Sequence, residues 1–231
     1  MSARDPNAPG AIMIFAAGFG TRMGALTQDR PKPLIEVAGR PLIDYAMDMA
    51  APMGLPIVVN THYKSEMVAE HLAGKARISE EQPQILETGG GLKQALPLLP
   101  DAPVYTLNSD AVWAGPNPLE VLRDLWEPDR MEALVLLVAL ENTVGFTRPG
   151  DFSLDRSGAL ARSPKGLIYT GAQLSKPGRV RDTPDAVFSF NKLWDEMISE
   201  GTLFGAVYPG RWADVGTPAG ITLAEEMIVD V

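Results

Sequence analysis

Short apolar runs alternate with amphipathic stretches along most of the chain. AIMIF (11–15), LPIVVN (55–60), PVYTLNSD (103–110) and EALVLLVAL (132–140) are β-branched or almost continuously apolar, the pattern of strands buried on both faces. Between them, PLIDYAMDMAAPMG (41–54) opens with Pro and closes with Gly. SEMVAEHLAG (65–74) has Ser65 as a cap and also closes with Gly, and NPLEVLRDLWEP (117–128) has Pro near its start. All three predict helices. QILETGGG (84–91) predicts a short strand running into glycines, and LKQALPLL (92–99) a short helix. Strands alternating with helices predict an α/β fold: a Rossmann-like, mostly parallel mixed sheet flanked by helices.

The pattern changes after residue 140. DFSLDRSGALAR (151–162) predicts a hairpin turning at 155–158, and GLIYTGAQLS (166–175) and LFGAVYPG (203–210) predict strands. FSFNKLWDEMISEG (188–201) is an amphipathic helix, and TPAGITLAEEMIVD (217–230) a final helix with Thr217 as N-cap and Pro218 at its first position. No linker divides the chain. We expect a leader over residues 1–10 and a single domain over 11–231. Its first half, about 11–140, is nucleotide-binding in type, and its second half, 141–231, adds a small β-rich part on the same core.

Composition narrows the function. The 231 residues are 45% hydrophobic, and no run approaches the length of a membrane span. The leader is polar, with Pro and Gly, and lacks the apolar stretch of a signal peptide. The absence of cysteine excludes disulfides and thiolate metal sites and fits the cytoplasm. A net charge of −9 argues against a nucleic-acid partner. It leaves room for a small phosphorylated ligand, because Arg22, Arg30 and Lys32 stand close together.

Those cations belong to a bare loop, AAGFGTRM (16–23), directly after the first strand, where parallel α/β sheets bind ligands. A dinucleotide fingerprint needs a third glycine and a helix. Met23 stands in that place, and Pro31 and Pro33 oppose helix. A P-loop needs Gly-Lys-Ser/Thr, which is absent. A phosphate-wrapping loop of another kind remains, with a flexible surface turn as the alternative.

FAAGFGTRMGALTQDRPKPLIEVAGRPLIDY (15–45) resembles the signature of the sugar-1-phosphate nucleotidylyltransferases. LETGGG (86–91), LNSD (107–110) and WADVGT (212–217) agree in order, so that the resemblance runs from about residue 11 to the end. Two positions depart from the pattern. Ala25 replaces a proline of the loop, and Ser109 replaces a glycine before the aspartate. Within the family, the ETGGG stretch, the short length and the D-V-G-T ending are most similar to the branch that transfers UMP to N-acetylmuramate α-1-phosphate in peptidoglycan recycling. The alternatives are a mannose-1-phosphate guanylyltransferase, another sugar-1-phosphate or phosphocholine nucleotidylyltransferase, or a catalytically silent regulatory subunit that binds sugar nucleotides. Retention of Arg22, Lys32, Asp110 and Asp214 together disfavours the last.

The resemblance implies the nucleotide-diphospho-sugar transferase fold, a nucleoside triphosphate (UTP) and a sugar 1-phosphate as partners, and Mg²⁺ as cofactor. It implies no membrane and a monomer or homodimer. Arg22 and Lys32 would be the catalytic cations at the phosphates, and Asp110 and Asp214 the metal ligands. Ala16, Ala17, Gly18, Gly20, Thr21, Asn60, Glu87, Gly89, Gly90 and Asn108 would bind the nucleotide. Gly150, Asp151, Lys165, Thr170 and Gly171 are the expected sugar side, with Lys165 at the sugar phosphate. Tyr169 and Trp212 offer flat faces for a pyranose ring.

Overall fold

The computed structural model describes residue 5 and residues 7–229. Strand β1 (Ala11–Phe15) leads into a long loop with two 3₁₀ turns, Thr21–Thr27 and Lys32–Leu34, and the short strands β2 (Glu36–Val37) and β3 (Arg40–Pro41). Then come α1 (Leu42–Ala50), β4 (Ile57–Thr61), α2 (Ser65–His71), β5 (Arg77–Glu80) and α3 (Glu87–Ala95). These are followed by β6 (Val104–Asn108), β7 (Ala111–Ala114), α4 (Pro118–Leu125) and β8 (Ala133–Val138). The second half holds β9 (Thr143–Val144), the hairpin β10 (Phe152–Leu154) and β11 (Leu160–Arg162), and β12 (Ile168–Ser175). It ends with α5 (Gly178–Asp182), α6 (Phe190–Glu200), β13 (Leu203–Val207), β14 (Arg211–Asp214) and α7 (Pro218–Val229).

Among the described residues, seven strands form the main sheet in the order β13-β8-β12-β6-β1-β4-β5. Both neighbours of β1 are parallel to it, as are β5 to β4 and β13 to β8; β12 runs antiparallel to β6 and β8. The sheet is therefore mostly parallel, with one reversed strand. Its central strands are apolar on both sides because both faces are covered. Ile12 and Ile14 pack with Ile43, Ala46 and Met47 of α1, while Met13 faces the opposite layer with Leu92 and Trp194. A smaller sheet, β7-β14-β9, stands against α1 and α7 with Val112, Ala213 and Val215 in its core.

Three readings of the sequence need correction. Residues 84–91 form no strand: Glu87 opens α3, and the three glycines lie inside that helix. Glycine weakens a helix by roughly 1 kcal/mol per residue, but here space requires it. A Cβ at Gly89 would enter the Phe188 ring, one at Gly90 the Ala186 carbonyl, and one at Gly91 would lie 2.5 Å from Glu81 Oε1. Ser65 is not a cap: Lys64 takes the cap position with φ 51°, and Ser65 is buried with its hydroxyl 2.7 Å from that of Thr61. Strands β5 and β7 have no counterpart in the sequence reading. In the expected leader, residues 1–4 and 6 lie outside the described residues, as do 230 and 231 at the other end. The described part is fastened, with Trp126 Nε1 donating to Asn7 O at 3.2 Å and Gly10 N–H to Pro103 O at 2.8 Å.

Candidate active site

The sheet grows outward from β1 in both directions, so the loops leaving β1 and β6 part and open a crevice at the strands' carboxyl ends. Phe15, Ala16, Gly18, Gly20, Thr21, Arg22 and Lys32 line one wall of a 280 Å³ cavity there, and Asn108, Ser109 and Asp110 the other. Ser109 joins the walls. Its hydroxyl and its N–H both donate to Phe15 O, at 2.7 and 3.1 Å. The serine that replaces the family's glycine thus adds a bond at the crevice floor.

The loop over this cavity is shaped by one glycine in particular. Gly20 has φ 65°, and a Cβ there would come within 2.7 Å of Lys32 Cβ, so Lys32 can pass beneath the loop. Tyr63 OH donates to Thr27 O at 3.0 Å, and the Phe19 ring meets His62 edge-on at 5.3 Å. These contacts anchor the loop where Ala25 replaces proline.

Two acids meet beside Lys32. Asp110 follows β6 and Asp214 ends β14. The β14–β7 register pairs Asp214 with Ala111, and Val215 N–H donates to Asp110 O at 2.9 Å, which brings the two carboxylates to the same corner. Lys32 Nζ lies 2.5 Å from Asp110 Oδ2. The Asp214 side chain is 13% exposed, and Arg148 Nη2 is 3.7 Å from its Oδ2. Burial, then repulsion from Asp110, raises the Asp214 carboxyl above the ordinary carboxylate range, against the pull of Lys32, Arg148 and Arg22. Arg22 rests its guanidinium on Gly216, where a Cβ would lie 2.8 Å from Nη1.

Two crowded carboxylates, one ion-paired and one destabilised as an anion, make a donor set suited to a divalent cation. No group of three or more His, Cys, Asp or Glu is gathered as a metal site among the described residues. The carboxylates that this corner could offer a cation are those of Asp110 and Asp214.

A second cavity of 350 Å³ continues from the first. It shares Phe15, Arg22, Asn108 and Asp110 and is walled by Tyr169, Phe190, Trp194 and Trp212, with Asp151, Asn191 and Arg148 at its edges. Trp194 donates Nε1 to buried Gln173 at 3.0 Å, and Phe190 stacks on its ring with centroids 6.1 Å apart. Gly171, at φ 86°, lies so near Asn108 that a Cβ would be 2.6 Å from Nδ2. Asp151 Oδ2 accepts from Tyr169 N–H at 2.9 Å.

The crevice brings together Ala16, Gly18, Gly20, Thr21, Arg22, Lys32, Asn108 and Asp110 in the first cavity, and Asp151, Thr170, Gly171 and Asp214 in the second. Others act from behind. Asn60 is buried; its Oδ1 accepts from Ala16 N–H at 2.8 Å and its Nδ2 donates to Glu81 Oε1 at 2.6 Å. Ala17 is buried and does not line the cavity. The Gly89 and Gly90 N–H groups both go to Phe188 O, at 2.9 and 3.0 Å, so they are not turned to a base. Glu87 is exposed at the start of α3 with φ 60°. Thr170 donates its hydroxyl to Leu136 O at 2.7 Å. Gly150 packs on Gly166, and Lys165 is exposed in the neighbouring turn; neither lines the second cavity.

The sequence reading missed two charged residues. Arg148 sits in an irregular loop with no motif around it. Glu81 is fully buried between Asn60 Nδ2 and Leu86 N–H, the latter donating to Oε2 at 2.7 Å. Nothing in the spacing of SEEQPQ (79–84) marks one of its carboxylates as buried.

Comparison with known proteins gives the crevice a context. Residues 12–145 match the model of the MobA-like NTP transferase domain. The chain is 38% identical over 239 aligned residues to N-acetylmuramate alpha-1-phosphate uridylyltransferase of Caulobacter vibrioides, covering 96% of this chain and 98% of that protein. It is 30% identical to the protein of the same name from Neisseria meningitidis, covering 93% and 96%. Among solved structures, a putative glucose-1-phosphate thymidylyltransferase from Bacillus anthracis, in complex with a sucrose, superposes with a TM-score of 0.79 at 17% identity, over 97% of this chain and 96% of that one. That likeness shows the fold.

Proposed function

The chain belongs to the MobA-like NTP transferase family, and from that premise we propose that it transfers UMP from UTP to N-acetylmuramate α-1-phosphate, releasing pyrophosphate. The observation that carries this is the meeting of Lys32, Asp110 and Asp214 between two adjoining cavities, one under the glycine loop and one walled by aromatic rings. The identity of the relatives from Caulobacter vibrioides and Neisseria meningitidis supports the choice of base and sugar.

In this reading the acceptor's phosphate oxygen attacks the α-phosphorus, the new P–O bond forms, and the α–β anhydride bond breaks with its electron pair leaving on pyrophosphate. The acceptor is ionised at neutral pH, so no general base is needed. Two polyanions must meet, and the barrier is largely one of charge and alignment. Lys32, held beneath the loop by its fit to Gly20, meets the charge that builds at the α-phosphate. Arg22 offers a fork of N–H groups to the β- and γ-phosphates. Asp110 and Asp214 would hold Mg²⁺, which when bound neutralises phosphate oxygens and aligns the triphosphate. Asn60 and Glu81 keep Ala16 and Leu86 in place, and so set the depth of the nucleoside side. Tyr169 and Trp212 offer faces for the sugar ring. UTP and Mg²⁺ are cytoplasmic solutes, so this reading carries a cytoplasmic location. Among the described residues no helix is long and apolar enough to cross a membrane.

The test is pyrophosphate release by the purified protein with each of four nucleoside triphosphates, a panel of sugar 1-phosphates, and Mg²⁺ present or absent. The expected pair is UTP with N-acetylmuramate α-1-phosphate, dependent on Mg²⁺. Faster turnover of GTP with mannose 1-phosphate would reassign the substrate. Absence of turnover with every pair would point to a binding subunit.

A further inference from the structure

We propose that Arg148 is the residue that receives the phosphate of the acceptor, leaving Asp214 as the acceptor enters. This rests on the reading of the crevice as a nucleotidyl-transfer site, and it assigns a role that the sequence had given to Lys165.

The second cavity needs a cation. Of its charged lining residues, three are acids, Asp110, Asp151 and Asp214, and two are bases, Arg22 and Arg148. Arg22 also lines the first cavity, under the glycine loop, where the proposed function assigns it to the triphosphate. Lys32 is only 12% exposed and already paired with Asp110. A phosphate dianion entering from the sugar side would otherwise meet only cations that the proposed function assigns to the triphosphate. Arg148 is the remaining base at that mouth.

Its attachment suits exchange. The guanidinium approaches Asp214 at 3.7 Å, beyond hydrogen-bond distance, and the side chain is 66% exposed. No hydrogen bond of Arg148 is found among the described residues, so its N–H fork is open to a phosphate. What fixes its direction is a cation–π contact: Arg148 Cζ stands 4.9 Å over the Phe146 ring, and Phe146 lies against Trp212, 5.9 Å between centroids. Trp212 walls the cavity two residues before Asp214. The guanidinium is thus laid by its face on Phe146 beside the acceptor pocket, while its N–H edge carries no hydrogen bond among the described residues. Lys165 lacks that placement, being exposed in a turn away from the lining.

The experiment is steady-state kinetics of Arg148→Ala and Arg148→Lys with two acceptors, N-acetylmuramate α-1-phosphate and N-acetylglucosamine α-1-phosphate, which share the phosphate but not the lactyl carboxylate. Far-UV circular dichroism and the melting temperature check that both variants fold, as expected for so exposed a side chain. The expected result for Arg148→Ala is a rise in acceptor KM of roughly ten- to a hundredfold, alike for both acceptors. The KM for UTP should stay close to that of the unaltered protein, and Arg148→Lys should recover part of the loss. An effect confined to the acceptor with the lactyl group, or a matching rise in the UTP KM, would overturn the assignment. So would unaltered acceptor kinetics in a protein whose native form is active. Absence of turnover by the native form with either acceptor would overturn the parent reading, and this inference with it.

Discussion

Lys32 and Asp110, 78 positions apart in sequence, lie with Nζ and Oδ2 2.5 Å apart at the junction of the two cavities. The pair links the loop after β1 to the end of β6, and each partner keeps the other where a phosphate would meet it. Lys32→Met should lower kcat about a hundredfold or more, with less effect on the KM for UTP. Rapid-quench measurement of a single turnover would separate this from slower product release. An unchanged single-turnover rate would remove Lys32 from the chemistry.

Asp214 carries a sign that can be read from stability alone. Its folded-state pKa is raised, by burial first and by Asp110 second. Its contribution therefore favours the fold below the unfolded carboxylate range and is lost as pH rises through the folded value. Asp214→Asn should melt at a higher temperature than the native protein at pH 7 without divalent cation. Mg²⁺ should raise the melting temperature of the native protein and not of the variant, and the variant should have lost turnover. Scanning fluorimetry with and without MgCl₂ reads both.

Gly171→Ala combines a backbone penalty with a collision. The residue would have to hold φ 86° and place Cβ 2.6 Å from Asn108 Nδ2. Backbone strain of this kind costs about 1–3 kcal/mol before the collision is added. Urea unfolding should show a loss of at least that order, and activity should fall because Asn108 lies in both cavities.

Glu81→Ala should weaken the nucleoside side without touching substrate. It strands Asn60 Nδ2 and Leu86 N–H in the interior, at a combined cost of about 2–4 kcal/mol in unfolding free energy. With Ala16 and Leu86 no longer fixed, the KM for UTP should rise while that for the acceptor holds. Equal rises in both would show a general loss of structure instead.

Lys165→Ala should leave the acceptor KM within about twofold of native, as exposed substitutions outside a site commonly do. A rise of tenfold would return the sugar phosphate to Lys165.

Much of this could be read in the chain itself, for physical reasons. A strand buried on both faces leaves little ambiguity, so AIMIF and EALVLLVAL became β1 and β8 nearly residue for residue. Asp110 and Asp214 could be singled out because each falls in a motif of several residues, and the β14–β7 register brings them to one corner. The glycines at 89–91 misled because glycine signals freedom in sequence and tightness in structure. Here Phe188, Ala186 and Glu81 fill the room that side chains would need. The reversal of β12 was not legible, since strand direction depends on partners distant in sequence. Arg148 was missed for a similar reason: its place is set by rings at 146 and 212, and only the fold brings those together.

The reversed strand has a further consequence for how such an enzyme could change. β8 lies within the matched span, residues 12–145, yet its two neighbours in the sheet, β12 and β13, are both made later in the chain. A fragment ending at residue 145 would leave β8 with bare edges and β6 with an open flank. The two halves of the chain share one sheet, so the C-terminal portion cannot be exchanged as a cassette without exposing these edges. New acceptors have to be acquired in place, through loops such as the one that carries Arg148.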